Sequence, residues 1–344
     1  MKTFLFFAVA AVGLSLGNQS VQARSWRIHS NANVKPDFTS IKAAMSSNDV
    51  MPGDTLYLEP GCVLSGQSIS KKVTVIGPGY DFSGAGSLTA VLYGDTGLNV
   101  DGIKIEGCSM DRVYINKANC TVERCKVTEV RHNSSGTSMA SILSCYITKC
   151  INIYQSSKNC TISNCIILGY IDGLSTSTIS NNVFVGENTS ELLRAVTYSV
   201  ITNNVILNTK SGYVLDASQE PQFYKNYTIK NNTLGSGNTI TNNILSTDAE
   251  HAFNDYPNNK FIGATPEDIF VMEGIGEEVY RLKEGSPVIG YGTGGYDCGV
   301  FSGSFPYVLS GRPRYIPYIY DAIIPNQPTD GKLNVTLKIK SQHE

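Results

Sequence analysis

Eight segments of this chain share one template: an apolar residue, two free positions, a corner residue, one free position and a second apolar residue. They are Val100–Ile105, Val122–Val127, Ile142–Ile147, Ile162–Ile167, Ile179–Phe184, Ile201–Ile206, Ile229–Leu234 and Ile240–Leu245. Their starts recur at roughly 20 residues, the period of a solenoid in which each turn lays short strands beside those of its neighbours. The step from Ile229 to Ile240 is only about half a turn, so one of the two is a register break and the coil ends near there.

The corner residues are Ile103, Cys125, Cys145, Cys165, Asn182, Asn204, Asn232 and Asn243. An inward asparagine recurring at one corner predicts a ladder, each amide bonding to turn backbone and to its counterparts above and below. The residues just before, Asn164, Asn181, Asn203, Asn231 and Asn242, suit a left-handed backbone. These twin asparagines read as structure rather than as ligand contacts. Glycine (32), tyrosine (19) and abundant Asn, Ser and Thr agree with an all-β chain rich in turns.

Nine cysteines would suggest disulfides in an exported protein, but the count is odd. Cys120 and Cys160 fall at one rung position with Ala140 between, and Cys108 and Cys150 at another with Val130 between. Two rungs stand about 9.5 Å apart, beyond the reach of a disulfide. Cys125, Cys145 and Cys165, on consecutive rungs, stack in parallel and fill a narrow core. A zinc site from Cys-x4-Cys pairs fails because the two members lie at different corners. Buried, reduced thiols are expected.

The first 23 residues read as a secretory signal: Lys2, an apolar stretch from Phe4 to Leu16, and Val21-Gln22-Ala23 before the cleaved bond. That stretch is too short to span a bilayer, and no later segment approaches the roughly 20 apolar residues required. Charged residues make up 16% of the chain and the net charge is -2, which gives no long-range attraction for nucleic acid.

Asp37 to Met45 predicts a short helix capped by Asp37, with Phe38, Ile41 and Met45 on one face, covering the open N-terminal end. With the segments PGDTLYLEPG and KKVTVIGPG and the repeats, the chain resembles the pectin-lyase-like family of secreted bacterial β-helix proteins over residues 25 to 245. The resemblance implies an all-β, right-handed parallel β-helix with a short N-terminal capping helix and a small C-terminal β cap. It implies no one activity, since the family holds lyases, hydrolases and adhesins. The polygalacturonase-like patterns Asn-Thr-Asp, Asp-Asp, His-Gly and Arg-Ile-Lys do not occur, nor does an Asp-His pair, so no family mechanism carries over.

The organisation expected is a signal peptide over 1–23, the β-helix over 24–305, and a C-terminal β extension or cap over 306–344. Gly285–Gly290 and Asp297–Phe301 read as a final irregular rung. Leu333, Val335, Leu337 and Ile339 alternate with polar residues in a strand that pairs near Tyr315 to Ile324. A cap there hides unpaired strand edges; the competing reading is a docking element for the cell envelope.

Ligands are expected where long loops adjoin the strands. Counting ten to fifteen residues on from each rung start gives an outward row of His132, Asn152, Asp172, Arg194 and Asp216. Asp172 and Asp216, about 9.5 Å apart, would suit the acid and base of an inverting glycosidase, with Arg194 between them. The plainer reading is a surface ion-pair ladder. Tyr114, Tyr154, Tyr170, Tyr198 and Tyr213 lie in or near the same loops, and Tyr154 and Tyr213, with His132 and Asn152, are the candidate sugar contacts. No cofactor or metal is called for. The functional expectation is an exported protein that binds or scaffolds carbohydrate at the cell surface. The alternatives are a polysaccharide lyase or glycoside hydrolase using Asp172, Arg194 and Asp216, and an adhesin contacting a protein partner.

Overall fold

The computed structural model describes residues 22–80, 89–132, 138–186, 192–207, 239–241, 243–245, 260–261, 266–312, 318–323, 327 and 331–340. Within them the chain is a parallel β-solenoid. Ten strands, from Ser25–Ile28 (β1) and Thr55–Leu58 (β2) up to Thr239–Thr241, form one sheet, and twelve form a second, longer-stranded sheet. Each rung turns one set of apolar residues inward because side chains alternate across a strand. Leu56, Val75, Ile105, Val122, Ile142, Ile162, Ile179, Ile201 and Ile240 are paired one on the next through the whole first sheet.

This register corrects the sequence reading at the first rung and bears on the alternative it left open at the last. Val122 stacks on Ile105, not on Val100, so the corner residue of that rung is Cys108 rather than Ile103. Ile240 pairs directly with Ile201 and so keeps the register, while Ile229, Asn231, Asn232 and Asn242 lie outside the described residues.

The corner column is therefore Cys108, Cys125, Cys145, Cys165, Asn182, Asn204 and Asn243, and all seven are buried. Cys150 lies beside Glu129, one residue off the Val130 position expected for it. All nine cysteines of the chain are free and buried, as expected. The residue before each of the first six corners has a left-handed backbone: Gly107, Arg124, Ser144, Asn164, Asn181 and Asn203, with φ from 50° to 67°. The asparagines fall where that conformation costs least.

At the N-terminal end the helix is shorter than read. It spans Ile41–Ser46 (α1), is capped by Ser40 Oγ on the Ala43 N–H, and buries Ile41, Ala44 and Met45. Asp37 instead receives the Arg27 N–H at 2.7 Å and so ties the preceding loop to β1.

The C-terminal segment differs most. Residues 288–312 are not a last rung but a strap that runs back along the flank of the coil over the left-handed column. Thr293 N–H donates to Asn203 Oδ1 (2.9 Å), Asn164 Nδ2 to Val300 O (2.8 Å) and to Ser302 O, Ser144 Oγ to Phe305 O (2.6 Å), and Tyr80 N–H to Ser310 O (2.7 Å). A Cβ on Gly311 (φ 56°) would collide with Tyr80 and the Arg124 carbonyl, so only glycine permits that approach. Beneath the strap Ile166, Val183 and Val205 turn outward and form a second apolar core with Phe270, Val288, Val300 and Tyr307. Strands Tyr318–Ile323 and Thr336–Lys340 pair antiparallel, as the alternation predicted, and Leu333, Val335, Leu337 and Ile339 are exposed.

Candidate functional site

The outer face of the second sheet carries polar side chains in two rows, flanking the inward column Val113, Val130, Ile151, Ile171 and Leu193. One row is Tyr114, Arg131, Asn152, Asp172 and Arg194, residues paired on five consecutive rungs. The other is Asp95, Arg112, Glu129, Cys150 and Tyr170. Neighbours within a row stand one strand spacing apart, about 4.8 Å.

The structure thus aligns Asn152, Asp172 and Arg194 as the sequence predicted. His132 does not belong with them: its place is taken by Arg131. A one-residue shift along a strand turns a side chain to the opposite face. His132 is 1% exposed, with Nδ1 3.2 Å from Ser157 Oγ, and serves the core. Asp216 and Tyr213 lie outside the described residues, as does the side chain of Tyr154, whose backbone is in strand Tyr146–Lys158. Tyr198 is exposed at 62%, and Tyr114 and Tyr170 are half-buried.

The charges within the two rows are paired. Arg194 contacts Asp172 at 2.7 Å, and its guanidinium lies 4.3 Å from the centre of the Tyr170 ring. Arg112 meets Asp95 at 2.6 Å. Glu129, nearly buried, is held by Arg131 at 2.5 Å and by Lys149. Burial opposes ionisation of Glu129, but hydrogen bonds from Lys149 and Arg131 outweigh it and hold its pKa below the ordinary carboxylate value. The hydrogen bond and charge of Glu129 keep Arg131 and Lys149 firmly protonated.

The sequence reading missed Arg112, Glu129, Arg131 and Lys149. A usable signal was present: the triplets Arg112-Val-Tyr114, Glu129-Val-Arg131, Cys150-Ile-Asn152 and Tyr170-Ile-Asp172 align on their central apolar residue. Counting from that residue, rather than from the rung start, removes His132.

Chemically the face offers planar donors and acceptors at fixed spacing beside aromatic rings. A glycosidic acid needs a carboxyl kept protonated near neutrality. Glu129 is driven the other way. The raised carboxyl among the described residues, Glu277, with a pKa of about 7, lies on the strap side, where burial and contact with the Ser310 N–H fix it. No group of three or more potential metal ligands gathers among the described residues, and no described helix is long and apolar enough to cross a membrane.

Comparison with known proteins returns no match among protein-family models, curated proteins or solved structures.

Proposed function

We propose that this chain is an exported protein of the pectin-lyase-like kind that binds extended carbohydrate along the row Tyr114, Arg131, Asn152, Asp172 and Arg194. The observation that carries this reading is the register: five polar or aromatic side chains on consecutive rungs face the same way. Such a row matches a linear ligand that repeats along its length. Amide, carboxylate and guanidinium groups suit sugar hydroxyls, and tyrosine faces suit sugar rings. Because Arg112, Arg131 and Arg194 in the two rows each have an acidic partner, the favoured ligand is an uncharged glycan, not a polyanion.

The test is retention of the folded protein on immobilised neutral and acidic polysaccharides, with a glycan array and an assay for reducing or unsaturated ends run in parallel. Binding to a neutral polysaccharide that weakens at least tenfold in Asn152→Ala and Arg194→Ala is the expected result. Absence of retention on every glycan would overturn the reading. Cleavage abolished by Asp172→Asn would assign the same face to an enzyme.

A further inference from the structure

Asp54 is 1% exposed, and among the described residues no side-chain cation lies at ion-pair distance from its carboxylate, the charge of the Arg24 side chain acting on it from farther off. It is held by three N–H donors: Arg24 N to Oδ1 at 2.8 Å, the indole Nε1 of Trp26 to Oδ2 at 2.8 Å, and Met51 N to Oδ2 at 2.9 Å. A carboxylate taken out of water is expensive unless a positive charge comes with it. The donor on Oδ1 is the backbone nitrogen of Arg24, one residue past Val21-Gln22-Ala23, whose small residues at the first and third positions before the bond suit a processing peptidase. Gln22, Ala23 and Arg24 are exposed and belong to no strand or helix, so the bond is open to attack. Regular structure begins immediately after, with β1 at Ser25, and Thr55 N–H donates to Arg24 O at 2.8 Å, which fixes Arg24 against the first full rung.

We infer that hydrolysis between Ala23 and Arg24 turns the Arg24 nitrogen into an α-ammonium that forms an ion pair with buried Asp54, locking β1 onto the coil. An endopeptidase adds water across the amide. The C–N bond breaks, Ala23 leaves as a carboxylate, and the nitrogen takes up protons to become an ammonium. The nitrogen then carries three N–H bonds and a full charge where it had one N–H and none. It already lies at ion-pair distance from Oδ1, so no rearrangement is needed. Asp54 is prepared for this partner. Burial opposes its ionisation, but the hydrogen bonds from Trp26, Arg24 and Met51 prevail and keep it ionised. The processing step would thus be read out in the fold: β1 is an edge strand, β2 is its one strand neighbour in the sheet, and the pair with Asp54 would tie the residue just before it.

Trp26 is the chain's single tryptophan and donates to the same carboxylate, so its fluorescence reports on the site. The full chain is expressed with its leader in an exporting host, and the N-terminus is read by intact mass and terminal sequencing. Arg24 is the expected first residue. Proteins starting at Arg24 and at Ala23, and an Arg24 protein with its α-amine acetylated, are then compared by hydrogen exchange of the β1 amides and by Trp26 emission. Roughly tenfold faster exchange in the extended and acetylated forms, with a red shift of Trp26, is expected, as a charge-assisted hydrogen bond is about twice as strong as a neutral one and the difference, about 1.4 kcal/mol, is tenfold in the opening equilibrium. Asp54→Asn should abolish the difference between the three forms. If that variant does not fold, the comparison among the three wild-type forms decides alone. Equal exchange and equal emission in all three, or a mature N-terminus elsewhere, would overturn the inference.

Discussion

The side-chain oxygen of Asn204 lies 2.9 Å from the backbone nitrogen and 3.0 Å from the side-chain nitrogen of Asn182 on the rung before it. Asn243 repeats the contact on Asn204, at 3.0 and 2.9 Å, and the free amide hydrogens turn to the carbonyls of Ile162, Ile179 and Ile201. Replacing Asn204 by Ala leaves the backbone N–H of Asn182 buried without its acceptor and removes one donor from the Ile179 carbonyl, and should cost about 1 to 3 kcal/mol. Asn152→Ala on the outer face should cost much less. Denaturant unfolding of both variants checks the difference, and equal shifts would count against the ladder.

The cysteines lower in the same column do part of the same work. Cys125, Cys145 and Cys165 approach the carbonyls two residues earlier at 3.1, 3.2 and 3.3 Å, much as Asn243 approaches that of Thr241 at 3.1 Å. Burial pushes two of the thiols up, Cys125 to about 12 and Cys145 well above the ordinary value. A raised folded pKa favours the folded state below the unfolded thiol value, near 8.5, and the advantage fades as pH climbs above it. The coil should therefore lose stability from about pH 8.5 upward, and a thiol reagent should label few cysteines in the native protein but all nine in denaturant without reductant. Disulfides found by mass spectrometry would contradict this.

How far the sequence reveals such a molecule depends on which side of the strand a residue serves. The inward columns were legible because each rung must place an apolar residue at the same two positions, whatever its loops do. The first rung misled because Val100, Ile103 and Ile105 fit the template as well as Ile105, Cys108 and Met110, and only pairing with the next strand distinguishes them. His132 misled through unequal loops, where an error of one residue exchanges core for surface. The strap was hidden for another reason. Ile166, Val183 and Val205 point outward yet are apolar, so nothing local separates a covered outer face from core, and the partners lie some 100 residues away in Val288, Cys298 and Val300.

Glu277 is where the strap makes its docking depend on pH. Its carboxyl is buried between the strap and the coil, with one oxygen on the Ser310 N–H and the other without a hydrogen-bond partner. Tyr80 and Tyr307, whose hydroxyls meet at 2.6 Å, Glu278 and Lys126 are the titratable groups around it. Burial raises its pKa to about 7. Since this exceeds the unfolded value, the stabilising contribution is full below about pH 4.5 and is lost as pH rises through 7. Thermal unfolding should show a strap weaker at pH 8 than at pH 5, by about 2 to 3 kcal/mol. Glu277→Gln, which stays neutral at both pH values, should remove most of that difference. An unchanged slope in the variant would place the titrating group elsewhere.

Asp172 separates binding from catalysis on the outer face. It is paired with Arg194, and at 23% and 37% exposure of the two side chains the pair is worth at most about 1 kcal/mol. Asp172→Asn should thus leave the melting temperature nearly unchanged. If the face binds a neutral glycan, the amide still accepts a hydrogen bond through its remaining oxygen, and retention should fall only a few-fold. Arg194→Ala uncovers the Tyr170 ring, removes the donor and leaves Asp172 with uncompensated charge, so its loss should be larger. An enzyme would rank them otherwise, because a carboxylate in an acid or base role cannot be replaced by an amide without a drop of orders of magnitude in turnover. Affinity and product release measured side by side on the two variants give the ordering: a greater binding defect in Arg194→Ala, with no product from either, is what a binding face requires.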